Sequence, residues 1–258
     1  MEFYFSIFFT FILIFVRVLS FLSASPVLGY SVIPFQLRFW VSIFLSYIFL
    51  LILDKNTSDF SVELFGFVIL VLKEVMIGLI LGFSAWVIFY SVQFAGHLIG
   101  FDIGFSTATA FDPEHSEPLP ALSQFKNYLF VVIFLMLNGH HFLIQVLKSS
   151  FEIVPISSSF SISAGIVDFG IKLITFVFVS AIKISAPVIV ALFLTDLSIG
   201  ILSRAFPQMN IFMFAFSIKI IVGLLALILT VPLFVYIFKK LFIVFQGNII
   251  ELLKIIGS

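Results

Sequence analysis

The chain has 258 residues, of which 62% are hydrophobic and 10% charged, with 13 acidic and 13 basic side chains. A soluble domain carries roughly 25% charged residues, so this chain has too little polar surface to coat a water-soluble globule and belongs in lipid or in a large assembly. Zero net charge leaves no basic face for nucleic acid, and the absence of cysteine excludes disulfides, thiolate metal sites and cysteine nucleophiles.

A bilayer-spanning helix needs about 20 mostly apolar residues, and six segments qualify. The first, 3–24, starts with an acidic flank, and Ser23-Ala24-Ser25 resembles a cleavage site; the wrong flank makes it an uncleaved first helix. Pro26, Gly29 and Pro34 mark the connection to the second span, 35–53. The turn-forming cluster 54–59 leads into the third, 62–98. Next comes the segment 104–126, polar and acidic, with Pro113, Pro118 and Pro120. Ordinary interhelical links run about 2–8 residues, so this loop is a working element.

The fourth span covers 126–147, and the serine-rich stretch 157–163 separates it from the fifth, 165–203. Pro187 predicts a kink there, in one tilted helix or between two pieces. Arg204 to Asn210 forms a tight tip, followed by the sixth span, 209–238. The tail, 239–258, alternates charge with Leu and Ile at helical spacing and reads as an amphipathic interfacial helix. The fold class is therefore all-α, with about six long hydrophobic helices arranged as membrane-associated hairpins.

The distribution of basic loop residues fails to orient these spans. Loops 54–63 and 102–117 would lie on opposite sides, yet both are net acidic; Lys239, Lys240 and Lys254 favour a cytoplasmic C-terminus only weakly. Arg17, Lys73, Glu74, Lys172, Lys183, Asp196 and Lys219 all lie within apolar segments. Each costs about 2.5–3.5 kcal/mol at a bilayer centre on insertion scales. Arg17, Lys73 and Lys172 have stems long enough to snorkel to an interface. Asp196 and Lys219 are equidistant from the tip at 207–208, so in an antiparallel hairpin both stand about 17 Å from it. They are level and predict a buried, structural ion pair.

Gly78 and Gly82, and likewise Gly96 and Gly100, have the four-residue spacing that lets helices approach closely. His140 and His141 are adjacent and point about 100° apart on a helix, which suits a hydrogen-bonding helix end better than one metal ion. Asp112, Glu114, His115 and Glu117 form an acidic cluster that reads as a solvated, shape-forming loop. No GxSxG, HExxH or phosphate-binding loop occurs. The residues supply no catalytic constellation, cofactor site or metal site.

Several stretches together resemble a known family. They are Arg17 with Pro26; Pro34 with Arg38; the run from Lys73 to Gly82; and the run from Phe94 to Gly104. They continue with Phe111-Asp112-Pro113, Leu137 to Phe142, Leu147 to Phe151 and Pro155. Last come Pro187, Asp196, Gly200, Arg204, the segment 207–212 and Lys219. In this order they resemble the FliR family of flagellar export-gate proteins, related to virulence type III secretion export proteins.

The resemblance implies a structural subunit of the inner-membrane export gate, joining FliP and FliQ in a closed channel for unfolded export substrates. FlhB, FlhA, flagellar rod proteins and membrane lipid would be its neighbours. It implies a FliP-like unit over 1–164 and a FliQ-like hairpin over 165–258. It also implies a pore plug over 104–120, carried by Gly104, Phe105, Ser106, Phe111, Asp112, Pro113 and Glu114. The hairpin tip would comprise Arg204, Pro207, Gln208, Met209 and Asn210. The alternatives are a virulence-system subunit, or a stand-alone transporter using Lys183, Asp196 and Lys219 as a proton relay.

Overall fold

The computed structural model describes residues 2–26, 33–53, 64–104, 121–156, 165–205 and 211–257, and every regular element in them is an α-helix. The helices are α1 (Glu2–Ala24), α2 (Phe35–Ile52), α3 (Leu64–Ile103), α4 (Ala121–Met136), α5 (Gly139–Ile153), α6 (Gly165–Ala205) and α7 (Ile211–Gly257). Among the described residues, α1, α2, α3, α6 and α7 are each long and apolar enough to cross a membrane. The count reaches six if α4 and α5 cross together as one broken span.

Two boundaries differ from the sequence expectation, each for a local reason. The fourth span is interrupted at Leu137-Asn138, where Asn138 takes a left-handed conformation with φ 56° and ends one helix before the next begins. Asn tolerates that conformation better than most side chains. Pro187 lies inside a continuous α6, the single-helix alternative, with one backbone bond lost at Lys183 O. The tail continues α7 without a break to Gly257. At the far end of α3, Gly104 has φ 97° and donates its N–H to Phe101 O at 3.0 Å. A glycine takes this turn without Cβ strain, which stops the helix where the polar loop begins.

The chain divides into two compact units. The first comprises residues 1–87, 138–173 and 245–258. In it α1 lies against the first half of α3 at unusually short range. A Cβ on Gly78 would collide with the Ser20 side chain and stand 2.6 Å from Arg17 O; one on Gly82 would meet Ala24 Cβ at 2.6 Å. Small residues at this spacing allow the two backbones to touch. Helix α2 packs on α1 with an inverted pattern. Its buried residues are Ser42, Ser46 and Phe49, while Trp40, Phe44 and Tyr47 point outward. Ser42 and Ser46 donate to carbonyls one turn back, Arg38 O and Ser42 O, so the serine face is slim and internally satisfied. The tail buries Phe245, Ile249, Leu252, Leu253 and Ile256, with Phe245 against Phe142 and Gly257 against Ile153. One apolar face of the tail is thus taken up by the chain itself, while Ile243, Val244 and Ile250 stay exposed.

The second unit comprises residues 88–137 and 174–244. Phenylalanine rings form its centre: Phe89 meets Phe130 edge-on at 4.3 Å and Phe134 at 5.3 Å. Phe238 meets Phe130 at 4.6 Å, and Phe242 meets Phe134 at 5.7 Å. Edge-to-face geometry points positive ring edges at negative faces and adds about 0.5–1.5 kcal/mol per pair beyond burial. A second cluster joins Ile99, Ile103, Val188, Leu192 and Ala226, with Gly223 leaving room for Ile103.

Gly78→Leu should lower the thermal unfolding midpoint of the detergent-solubilised chain, at a cost of about 1–3 kcal/mol or more for overpacking. Gly170→Ala, where nothing lies within 4 Å of the added methyl, should leave the midpoint unchanged or raise it. The opposite order would remove the close α1–α3 approach as a constraint.

Candidate functional site

The most concentrated chemistry in the first unit is a buried cluster of three charges. Arg17 and Glu74 are fully buried and Lys73 is 6% exposed. The Arg17 guanidinium donates through Nε to Glu74 Oε2. Through Nη1 it donates to Ser150 O at 2.8 Å, and through Nη2 to Val154 O at 3.0 Å. The Phe151 ring covers its face, 4.3 Å from Cζ. Lys73 Nζ lies 3.5 Å from Glu74 Oε1 and donates to Pro155 O at 3.2 Å and Ile156 O at 2.8 Å.

Two cations therefore cap the C-terminal end of α5, where unpaired carbonyls and the helix dipole concentrate negative potential. Pro155 explains why that end exists, since a proline cannot continue the helix pattern. One carboxylate and one helix terminus balance two positive charges. One guanidinium fork ties α1 to α3 and α5, which only a planar, multi-donor cation can do. Snorkelling was one reading open to Arg17 and Lys73; in the structure both are buried and find acceptors inside the chain. The sequence held only a partial signal for this: an arginine and an adjacent Lys-Glu pair inside apolar segments, and Pro155 to end a helix whose carbonyls need donors.

The other candidate residues are placed as follows. Lys219 Nζ lies 2.9 Å from Asp196 Oδ2 across α6 and α7, so the two are brought together. The pair lies toward the surface of this chain, with side chains 20% and 46% exposed, where a buried one was expected. Lys172 bridges to Glu251, both half-exposed. Lys183 is exposed and lies about 20 Å from Asp196 along α6 at 1.5 Å per residue. That gap is too wide for direct proton transfer, which removes the geometric basis for a relay through Lys183, Asp196 and Lys219. His140 and His141 stack with ring centroids 4.2 Å apart, and His140 Nδ1 is buried without a hydrogen-bond partner. Among the described residues no group of three or more metal-ligating side chains exists.

Of the packing glycines, Gly78 and Gly82 make the close contact, Gly96 is buried, and Gly100 faces open space within 4 Å. Gly104 ends α3. Phe105, Ser106, Phe111, Asp112, Pro113 and Glu114 lie outside the described residues. Arg204 is exposed in the last turn of α6, and Pro207, Gln208, Met209 and Asn210 also lie outside the described residues.

The sequence pattern of the bacterial export proteins, family 1, matches residues 8–244. The chain belongs to this family. It is 31% identical over 250 residues to the flagellar biosynthetic protein FliR of Bacillus subtilis strain 168, covering 96% of this chain and 95% of that one. It is 28% identical over 240 residues to the FliR of Escherichia coli K12, covering 92% and 91%. The surface presentation of antigens protein SpaR of Shigella sonnei matches at 29% over 150 residues, covering 58% and 57%. The match contains Arg17, Lys73, Glu74, Asp196 and Lys219, so both charge groups described above lie inside the family segment. This family member is a multi-pass helical membrane protein of the flagellar and type III-related export class.

Arg17→Met alone should destabilise the chain by about 3–5 kcal/mol, because it leaves Glu74 buried beside only one cation. Combining it with Glu74→Gln should recover part of that loss, and Arg17→Lys should rescue poorly since one ammonium cannot reach three acceptors spread over α3 and the end of α5. A double-mutant cycle on detergent unfolding reads the coupling; a value near zero would remove the pair as the organising contact. For the exposed pair, Asp196→Ala should impair assembly in the membrane and an added Lys219→Ala should partly restore it, read by co-purification.

Proposed function

We propose that the chain is a structural subunit of the flagellar type III protein export gate, forming with FliP and FliQ the closed channel through which unfolded substrates leave the cytoplasm. The observation that carries this reading is the length of exposed apolar surface on α6. Exposed apolar side chains run from Val167, 68% exposed, to Leu202, 55% exposed, a distance of about 53 Å at 1.5 Å per residue. The hydrocarbon core is about 30 Å thick, and even a 40° tilt leaves roughly 10 Å of this stripe beyond it. Water is a poor cover for the remainder, so neighbouring protein is the natural one.

In this reading residues 1–164 are the FliP-like unit and 165–258 the FliQ-like hairpin, with α6 and α7 joined by the Asp196–Lys219 bridge. FlhB and FlhA adjoin the gate, rod proteins receive the substrate path, and the whole sits in the inner membrane. The near-complete overlap with flagellar relatives, against 57% of SpaR, supports the flagellar over the virulence system. The subunit acts by shape and close packing and does no covalent chemistry.

The loop 104–120 is the plug. It starts abruptly at the left-handed Gly104, and small side chains from Ser106 to Ala110 suit a stopper that fills a narrow lumen and yields. Deleting 106–116 should leave the subunit co-purifying with its neighbours while making the membrane permeable to small ions. Unchanged permeability in an assembled complex would defeat the plug. The broader reading fails if the tagged chain, solubilised in mild detergent, is monodisperse and without protein companions.

A further inference from the structure

Lys183 stands out among the charges in the apolar segments. The residues on either side, 173–182 and 184–195, carry no charge, so apolar helix extends about 15 Å one way and 18 Å the other. The side chain is exposed. It shares its face of α6 with the exposed Val179, Ile182, Val190, Phe193 and Leu197, all within about 100° of it at 3.6 residues per turn. Whatever covers that stripe, lipid or protein, takes the ammonium out of water. Neither end of the run is within reach of a lysine stem, so snorkelling fails. Pro187 adds a second polar group at the same level: it has no N–H, so the Lys183 carbonyl lacks its usual helical donor.

Among the described residues no acid is placed in an ion pair with Lys183. Glu74 is bridged to Arg17 and Lys73, Glu152 to Lys148, Asp196 to Lys219 and Glu251 to Lys172. Asp168 is about 22 Å away along the same helix, and Asp102 stands at the last turn of α3. A second copy would bring the same deficit, since its mid-helix acids are already occupied. We propose that Lys183 and the apolar stripe around it form a docking face for a helix of a different subunit, apolar and bearing a single Asp or Glu near its middle. Desolvated charges on two helices then fix their register, while the stripe supplies the contact area.

This inference rests on the chain working inside a hetero-assembly, and the experiment separates the two. Lys183→Met is compared with Lys183→Arg and the unaltered tagged chain, scoring the amount in the membrane and the companions recovered. A lysine facing only lipid would be better replaced by Met, giving equal or greater amounts of both. A lysine facing a carboxylate leaves that acid stranded, so Met should cut companion recovery at least tenfold while Arg preserves it. Recovery with Met equal to the unaltered chain overturns the docking face but leaves the assembly intact; no companions with the unaltered chain overturns the assembly itself.

As a readout that keeps Lys183, a photoreactive side chain at Ile182 should cross-link to an apolar helix of another subunit carrying an acid at that level. Cross-linking only to lipid, or to residues 105–120 of the same chain, overturns the proposal.

Discussion

In a chain with this little polar surface, a buried charge depends on partners within protein, and the Arg17 guanidinium meets that demand for several groups at once. One side chain satisfies a carboxylate on α3 and two carbonyls at the end of α5. Lys73 completes the set on the two carbonyls that follow. Leaving any of these groups unpaired costs far more in an apolar interior than in water. The glycines at 78 and 82 belong to the same arrangement, because the α1 backbone must lie close to α3 for Arg17 to reach Glu74.

Interior and exterior follow different rules here. Inside, small or polar residues make the close contacts: Ser42 and Ser46 on α2, Gly78 and Gly82 on α3, Ser150 on α5. Outside, Trp40, Phe65, Phe101 and Leu229 are among the most exposed side chains. Large apolar side chains such as Phe89, Phe130 and Phe238 fill the interior too, so what departs from a water-soluble protein is the apolar exterior and the small residues at the closest contacts. Both are expected where the surroundings are as apolar as the core, since burial of Leu then gains little and close backbone packing gains more.

Helix positions were legible from hydropathy because runs of twenty apolar residues have few alternatives. Breaks were less so: Asn138 divides a stretch that hydropathy treats as one, and only its left-handed backbone reveals the stop. Pro187, a strong sequence signal for a break, is absorbed by α6. The Asp196–Lys219 contact followed from counting residues about a hairpin tip, a local geometry that sequence spacing specifies. The Arg17–Glu74–Lys73 cluster did not, because it joins segments more than fifty residues apart and depends on which faces the helices present. Its burial decided between pairing and snorkelling, which hydropathy alone left open for these two long side chains.

The apolar flank of α6 also bears on how the cell must manage this polypeptide. On the proposed reading, a copy without its companions leaves part of that flank above the hydrocarbon core, where water is a poor cover, so lone copies should be lost or aggregate more readily than assembled ones.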